Sequence, residues 1–212
     1  MPEQSGPARR ALSWLAPRLR ANWILAPLAL LYVWSFPYFE GLNNPNELVR
    51  LYMTISIVDD GSYDIDPVCR RYTWVNDRSV VGDRAYSSKA PGASFAGVPV
   101  YLLVKAVSRL AHVDVSRRTL VWLLRITTCV LPSLVFLCLF RRFLASMGYS
   151  GFATDLVFAG FALGTPAFTY VHQFAGHVPS ALTLFAAYMI LTAARGGGGW
   201  SLGRGVAFGF RL

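Results

Sequence analysis

Glu47 and Lys89 are the two side chains whose type and setting best suit group transfer. A carboxylate at a membrane face just after an apolar segment can take a proton from an incoming hydroxyl while that oxygen attacks an activated carbon. The same Glu47 can instead close a capping box or pair with Arg50. Lys89 sits in Ser88-Lys89-Ala90-Pro91-Gly92, a turn that presents an ammonium as a compact point charge to a phosphate. Its plain alternative is a snorkelling lysine meeting lipid headgroups. Arg125 lies about two turns inside an apolar run, where an arginine calls for an anionic partner, either a phosphate or an acid from elsewhere in the chain. The alternative is an interior salt bridge that only orders the bundle. His172 and His177 are five apart with no carboxylate or cysteine to complete a metal set.

These side chains must be positioned by an unusual chain. It has 212 residues, 54% of them hydrophobic, which places it in the membrane class. Its net charge of +9 comes mostly from arginines clustered at the ends of apolar runs, such as Arg117-Arg118 and Arg141-Arg142. That pattern fits topology signals and anionic headgroups and excludes a continuous nucleic-acid face. Eight of the eleven acids fall between Glu40 and Asp83, so the ionisable groups crowd one polar loop. The pairs Asp59-Asp60 and Asp64/Asp66 lack the alternating oxygen pattern of a calcium loop and read as solvated acids. Cys69, Cys129 and Cys138 form no disulfide or metal spacing. There is no phosphate-cradling glycine loop, nucleophile elbow or Cys/His pair.

A bilayer span needs about 20 apolar residues, and runs at 23–39, 119–140, 152–171 and 178–194 meet the range. A further run at 205–212 is cut by the end of the chain, which suggests an N-terminal fragment of a longer protein. The segment 93–112 is interrupted by Lys105 and Arg109. Reading it as an interfacial helix keeps Arg141-Arg142 in the cytosol, as the positive-inside rule prefers. The expected fold is therefore an all-α polytopic membrane protein with about four complete transmembrane helices and a partial fifth. A basic cytosolic N-terminus at 1–22 precedes an uncleaved signal anchor at 23–39. An outer loop with juxtamembrane helices and the active site fills 40–118, helices two to four fill 119–195, and a Gly-rich linker and truncated helix fill 196–212. The expected location is the inner (plasma) membrane, multi-pass, with a cytoplasmic N-terminus. Within the loop, Asn44 as cap, Pro45 at the first position and Glu47 three residues on start a helix that ends near Val58, before Asp59-Asp60-Gly61. Leu48, Leu51, Ile55 and Val58 share one face of it, and Glu47, Arg50 and Thr54 project to another. Residues 63–83 read as short extended or turn segments.

An apolar span, then Asn46-Glu47 with Arg50 three residues on, an Asp60-Gly61 turn and Tyr86-Ser87-Ser88-Lys89-Ala90-Pro91-Gly92, resembles the membrane glycosyltransferases of the C-type fold. The likeness is to relatives of protein O-mannosyltransferases and of the aminoarabinose transferases that modify lipid A. Gly164-Thr165-Pro166 through His177 is similar to the third-to-fourth span junction of that group. The resemblance implies transfer of a sugar from a polyprenyl-phosphate donor to an acceptor on the extracytoplasmic face. It makes Glu47 the base and Lys89 the donor-phosphate ligand, with Arg50 and Arg125 in support. Where some relatives carry a second acid this chain has His177, which puts a two-acid scheme in doubt. The resemblance calls for membrane lipids as partners and for no cofactor, and leaves open the acceptor and any need for a divalent metal. The competing readings are a transporter or flippase-like protein and a noncatalytic membrane protein.

Overall fold

The structure is a computed structural model that describes residues 24–34, 44–149 and 151–195. The expected basic N-terminus, Glu40 and the 196–212 linker and partial helix lie outside the described residues. The chain is mostly helical. Helix α1 spans Leu25–Trp34, α2 Pro45–Asp59 and α3 Asp66–Arg71; strands β1 (Arg78–Val81) and β2 (Arg84–Ser87) follow. Then come α4 (Gly92–Ala111), α5 (Arg117–Ser146), α6 (Gly151–Gly164), α7 (Pro166–Val171) and α8 (His177–Arg195).

Local chemistry sets the boundaries. Asn44 is extended and its side chain accepts from the Asn46 amide at 3.1 Å, while Pro45 occupies the first turn, where a missing N–H costs nothing. Helix α2 ends at Asp59, and Gly61 turns the chain with φ +60°. The strands pair antiparallel with Val81 opposite Arg84, and Gly82 takes φ +63° in the two-residue turn. Ser116 caps α5 by accepting from the Thr119 amide. Within α5, residues Ile126–Val130 form a π-helical turn just ahead of Pro132, which cannot donate to the helical ladder. The Thr127, Thr128 and Ser133 hydroxyls bond to carbonyls one turn back, compensating the disturbed backbone.

Among the described residues two helices, α4 and α5, are long and apolar enough to cross a membrane. One expectation changes here. The apolar run 152–171 is not one helix. Thr165 is extended, caps α7 by accepting from the Ala167 amide and donates to Phe161 O, so that the chain breaks into α6 and α7 at Thr165-Pro166. The segment expected as an interfacial helix is helical without a break over 20 residues. Its charge is accommodated because Lys105 Nζ reaches Asp59 Oδ1 at 2.5 Å.

The buried apolar residues form two clusters. An outer one joins Leu51, Tyr52 and Ile55 of α2 to Ile65, Val68, Ala85, Ala93, Leu120, Leu124 and Phe174. A bundle cluster joins Leu28 and Tyr32 of α1 to Val130, Phe136, Leu137, Phe140, Phe158, Ala162 and Val178. Helix α5 belongs to both, through its first two turns and through the part from Val130 onward. Helix α4 packs within the outer cluster: Ser94 Oγ donates to Arg50 O, Thr54 Oγ1 donates to Ser94 O, and Tyr101 Oη donates to Asp59. These contacts run α4 parallel to α2. Arg117 on Tyr52 and Arg125 on Glu47 run α5 antiparallel to it. The even burial of α2 from Glu47 to Ser56 replaces the expected single apolar face, since α3, α4, α5 and the hairpin surround it.

Candidate functional site

The first turn of α2 meets α5 and the 172–177 turn where the two clusters join. Glu47, only 3% exposed, accepts there from Arg125 Nε at 2.8 Å and Arg125 Nη2 at 2.5 Å. Its Oε1 also accepts from the Phe174 amide at 2.6 Å. A carboxylate has about four lone-pair sites, so three donors leave one. Arg125 itself is 7% exposed and stands immediately before the π turn, which re-aims the helix. One turn on, Cys129 Sγ donates to Gln173 O at 3.2 Å. Helix α5 thus holds the 172–177 turn directly through the Cys129 thiol and indirectly through the Glu47 carboxylate that Arg125 grips. Of the readings open for Glu47 in the sequence, the capping box is not formed: its carboxylate turns away from the helix start to a partner 78 residues on.

Arg50 lies one helical turn beyond Glu47 and is 6% exposed. Its Nη1 donates to Asn46 O at 2.6 Å. Burial pushes its guanidinium below the usual arginine range, and the nearby charges of Asp77 and then Glu47 oppose that. Asp77 accepts from Ser88 Oγ at 2.7 Å and pairs with Lys89 Nζ at 2.9 Å. The Ser88 hydrogen bond first, then the one from Lys89, hold its carboxyl below the ordinary aspartate value, with Arg50 contributing at longer range. Arg50, which feels both Asp77 and Glu47, therefore joins the Asp77–Lys89 pair and the Glu47–Arg125 pair into one electrostatic cluster. Three cations against two carboxylates leave it with one net positive charge.

The hairpin that carries Lys89 is tied down by the other loop acids. Asp64 Oδ1 accepts from the Asp66 and Ala85 amides, and the Ile65 amide donates to Ala85 O. Asp66 pairs with Arg70 and Arg78, which outweigh its desolvation and lower its pKa. Asp59 and Asp60 pair with Arg71. These acids are structural counter-ions, and among the described residues no group of three metal-ligating side chains occurs.

His177 is not brought to this cluster. It is exposed at the start of α8, its ring against Tyr170 at 4.7 Å between centroids. His172 is buried instead, with Nδ1 2.8 Å from Phe168 O and Nε2 3.0 Å from Tyr32 O, and it joins α7 to α1. Beside the same turn is a largely apolar cavity of about 300 Å³, lined by Tyr32, Phe136, Leu137, Phe161, Tyr170 and His177 among others. The sequence reading missed Asp77 and the Phe174 amide. Asp77 falls within the 63–83 stretch that reads as extended or turn segments, and a backbone donor leaves no trace in residue type.

No family model, curated protein or solved structure matches this chain.

Proposed function

We propose that this chain is a multi-pass membrane glycosyltransferase of the C-type fold, which moves a sugar from a polyprenyl-phosphate donor to an acceptor hydroxyl or amine on the extracytoplasmic side. In this reading α1, α5, α6 with α7, and α8 cross the inner membrane from a cytoplasmic N-terminus, and α4 belongs to the outer layer. The observation that carries it is the set of buried Glu47, Arg50 and Arg125 with the half-buried Asp77–Lys89 pair beside it, gathered at one end of an apolar bundle with one positive charge in excess. A phosphodiester linking a lipid to a sugar carries one negative charge, and a polyprenyl phosphate is a competent leaving group. Transfer then needs positive charge where the phosphate departs and a base for the acceptor proton.

Lys89 and Arg50 supply the charge at the phosphate. Glu47 takes the acceptor proton on its remaining lone pair, and Arg125 holds that carboxylate in place through two hydrogen bonds. The cavity beside the 172–177 turn offers apolar walls for the first isoprene units, with His177 at its edge. The full burial of the Glu47–Arg125 pair also supports a second reading, in which the pair only fastens the outer layer to the bundle.

Turnover separates the two. The chain is reconstituted in proteoliposomes with radiolabelled undecaprenyl-phosphate sugars and the release of undecaprenyl phosphate is followed. Glu47→Gln is expected to lower the rate about 10²- to 10⁴-fold in protein that remains folded. Near-normal turnover in that variant would remove Glu47 from catalysis.

A further inference from the structure

Arg50 is the unbalanced charge of the cluster. Its Nε is buried with no hydrogen-bond partner, and among the described residues no carboxylate lies within ion-pairing distance of its guanidinium. A buried N–H without an acceptor and a buried cation without a contact anion are both destabilising, and proteins seldom keep them without use. The two negative charges nearest in effect are already engaged. Glu47 is held by Arg125 and the Phe174 amide. Asp77 is held by Ser88 and Lys89.

We infer, building on the proposed function, that Asp77 is a resident stand-in for the ligand's phosphate: a phosphodiester or phosphomonoester entering the site displaces Asp77 from Lys89 and satisfies Lys89 and Arg50 together. A phosphoryl group spreads its charge over several acceptor oxygens and bridges two cations, whereas the Asp77 carboxylate reaches Lys89 and leaves Arg50 Nε bare. Ser88 donates to both the side chain and the carbonyl of Asp77, so the hairpin edge stays anchored at the carbonyl when the carboxylate swings out. Asp77 then works against binding: it keeps Lys89 paired in the empty site and must be outcompeted.

The test uses the full chain in nanodiscs and titrates farnesyl phosphate, inorganic phosphate and farnesol by calorimetry, alongside melting of each unliganded variant. Asp77→Asn is expected to bind farnesyl phosphate about fivefold tighter than the parent, the size of one partly exposed competing ion pair, although its unliganded form melts lower. Ser88→Ala, which loosens Asp77 without removing its charge, is expected to tighten binding by a smaller factor. Lys89→Met and Arg50→Gln are each expected to weaken it, and farnesol is expected to show no dependence on any of these residues. Tightening with farnesyl phosphate alone assigns the site to a lipid-borne phosphate. Equal tightening with inorganic phosphate assigns it to the free anion.

Unchanged or weaker binding in folded Asp77→Asn overturns the stand-in role. Should that variant fail to fold, the same result in Ser88→Ala overturns it. Binding that needs Lys89 but ignores Asp77 sinks this inference and spares the proposed function. Absence of saturable binding by the parent and by Asp77→Asn sinks both.

Discussion

Replacing Glu47 by alanine removes the acceptor of three donors at once, two from Arg125 and one from the Phe174 amide. The guanidinium then stays in a position only 7% exposed with its main counter-charge gone. Breaking a buried ion pair from one side costs about 3–5 kcal/mol, and an orphaned buried N–H adds about 1–3 kcal/mol. For a chain of this size, roughly 2–4 °C of melting temperature accompanies each kcal/mol. The single change is therefore expected to lower the midpoint by about 8 °C or more. The double change Glu47→Leu with Arg125→Met removes both charges and leaves mainly the Phe174 amide unpaired, so it is expected to cost clearly less than Glu47→Ala alone. Thermal unfolding of the parent, Glu47→Leu, Arg125→Met and the double variant in one detergent gives the coupling energy directly. Additive single changes, or a Glu47→Ala midpoint within a degree or two of the parent, would refute the claim that this pair joins the two layers.

Other predictions follow from single features. Gly97 lies where an added Cβ would sit 3.1 Å from Thr54 Oγ1, Leu124 Cδ2 and Phe174 Cζ. Gly97→Ala is therefore expected to destabilise by about 1–3 kcal/mol through overpacking, read as a lower melting temperature. Asp77 has a depressed pKa, so its contribution is present above the unfolded value near 3.9 and is lost as pH falls through the lower folded value. Acid below about pH 4 is expected to loosen the hairpin, seen as a change in Trp74 fluorescence that Asp77→Asn abolishes. His177→Ala is expected to leave Glu47-dependent turnover within a few-fold of the parent, because His177 touches Tyr170 and not the charged cluster. Turnover that collapsed in that variant would place the histidine in the reaction.

What the residues announced was local. Asn44-Pro45 at one end of α2 and Asp59-Asp60-Gly61 at the other were readable because a cap and a turn are written in adjacent residues. Thr165-Pro166 was equally readable as a helix start, yet hydropathy runs smoothly across it and favoured one long span. Lys105 argued against a spanning-length helix only while its partner was unknown; Asp59 lies 46 residues away. Glu47 followed the same rule. Its spacing from Asn44 fits a capping box, and nothing in the sequence ranks that local bond against an arginine 78 residues on. Arg125 was marked as needing an anion by its place in an apolar run, and its partner came from the acid-rich loop. Asp77 escaped because an aspartate in a turn is ordinary, and its meaning comes only from the lysine it pairs with and the arginine charge it feels at longer range.

The most direct test is sugar-independent. A farnesyl phosphate analogue with a diazirine next to the phosphate is photolysed with the full chain in nanodiscs, and the adducts are mapped by mass spectrometry. The account predicts adducts on the Asp77 to Lys89 segment and on the first turn of α2, competed away by undecaprenyl phosphate. Adducts confined to the opposite end of the bundle, around the Arg141–Asp155 pair, would contradict it.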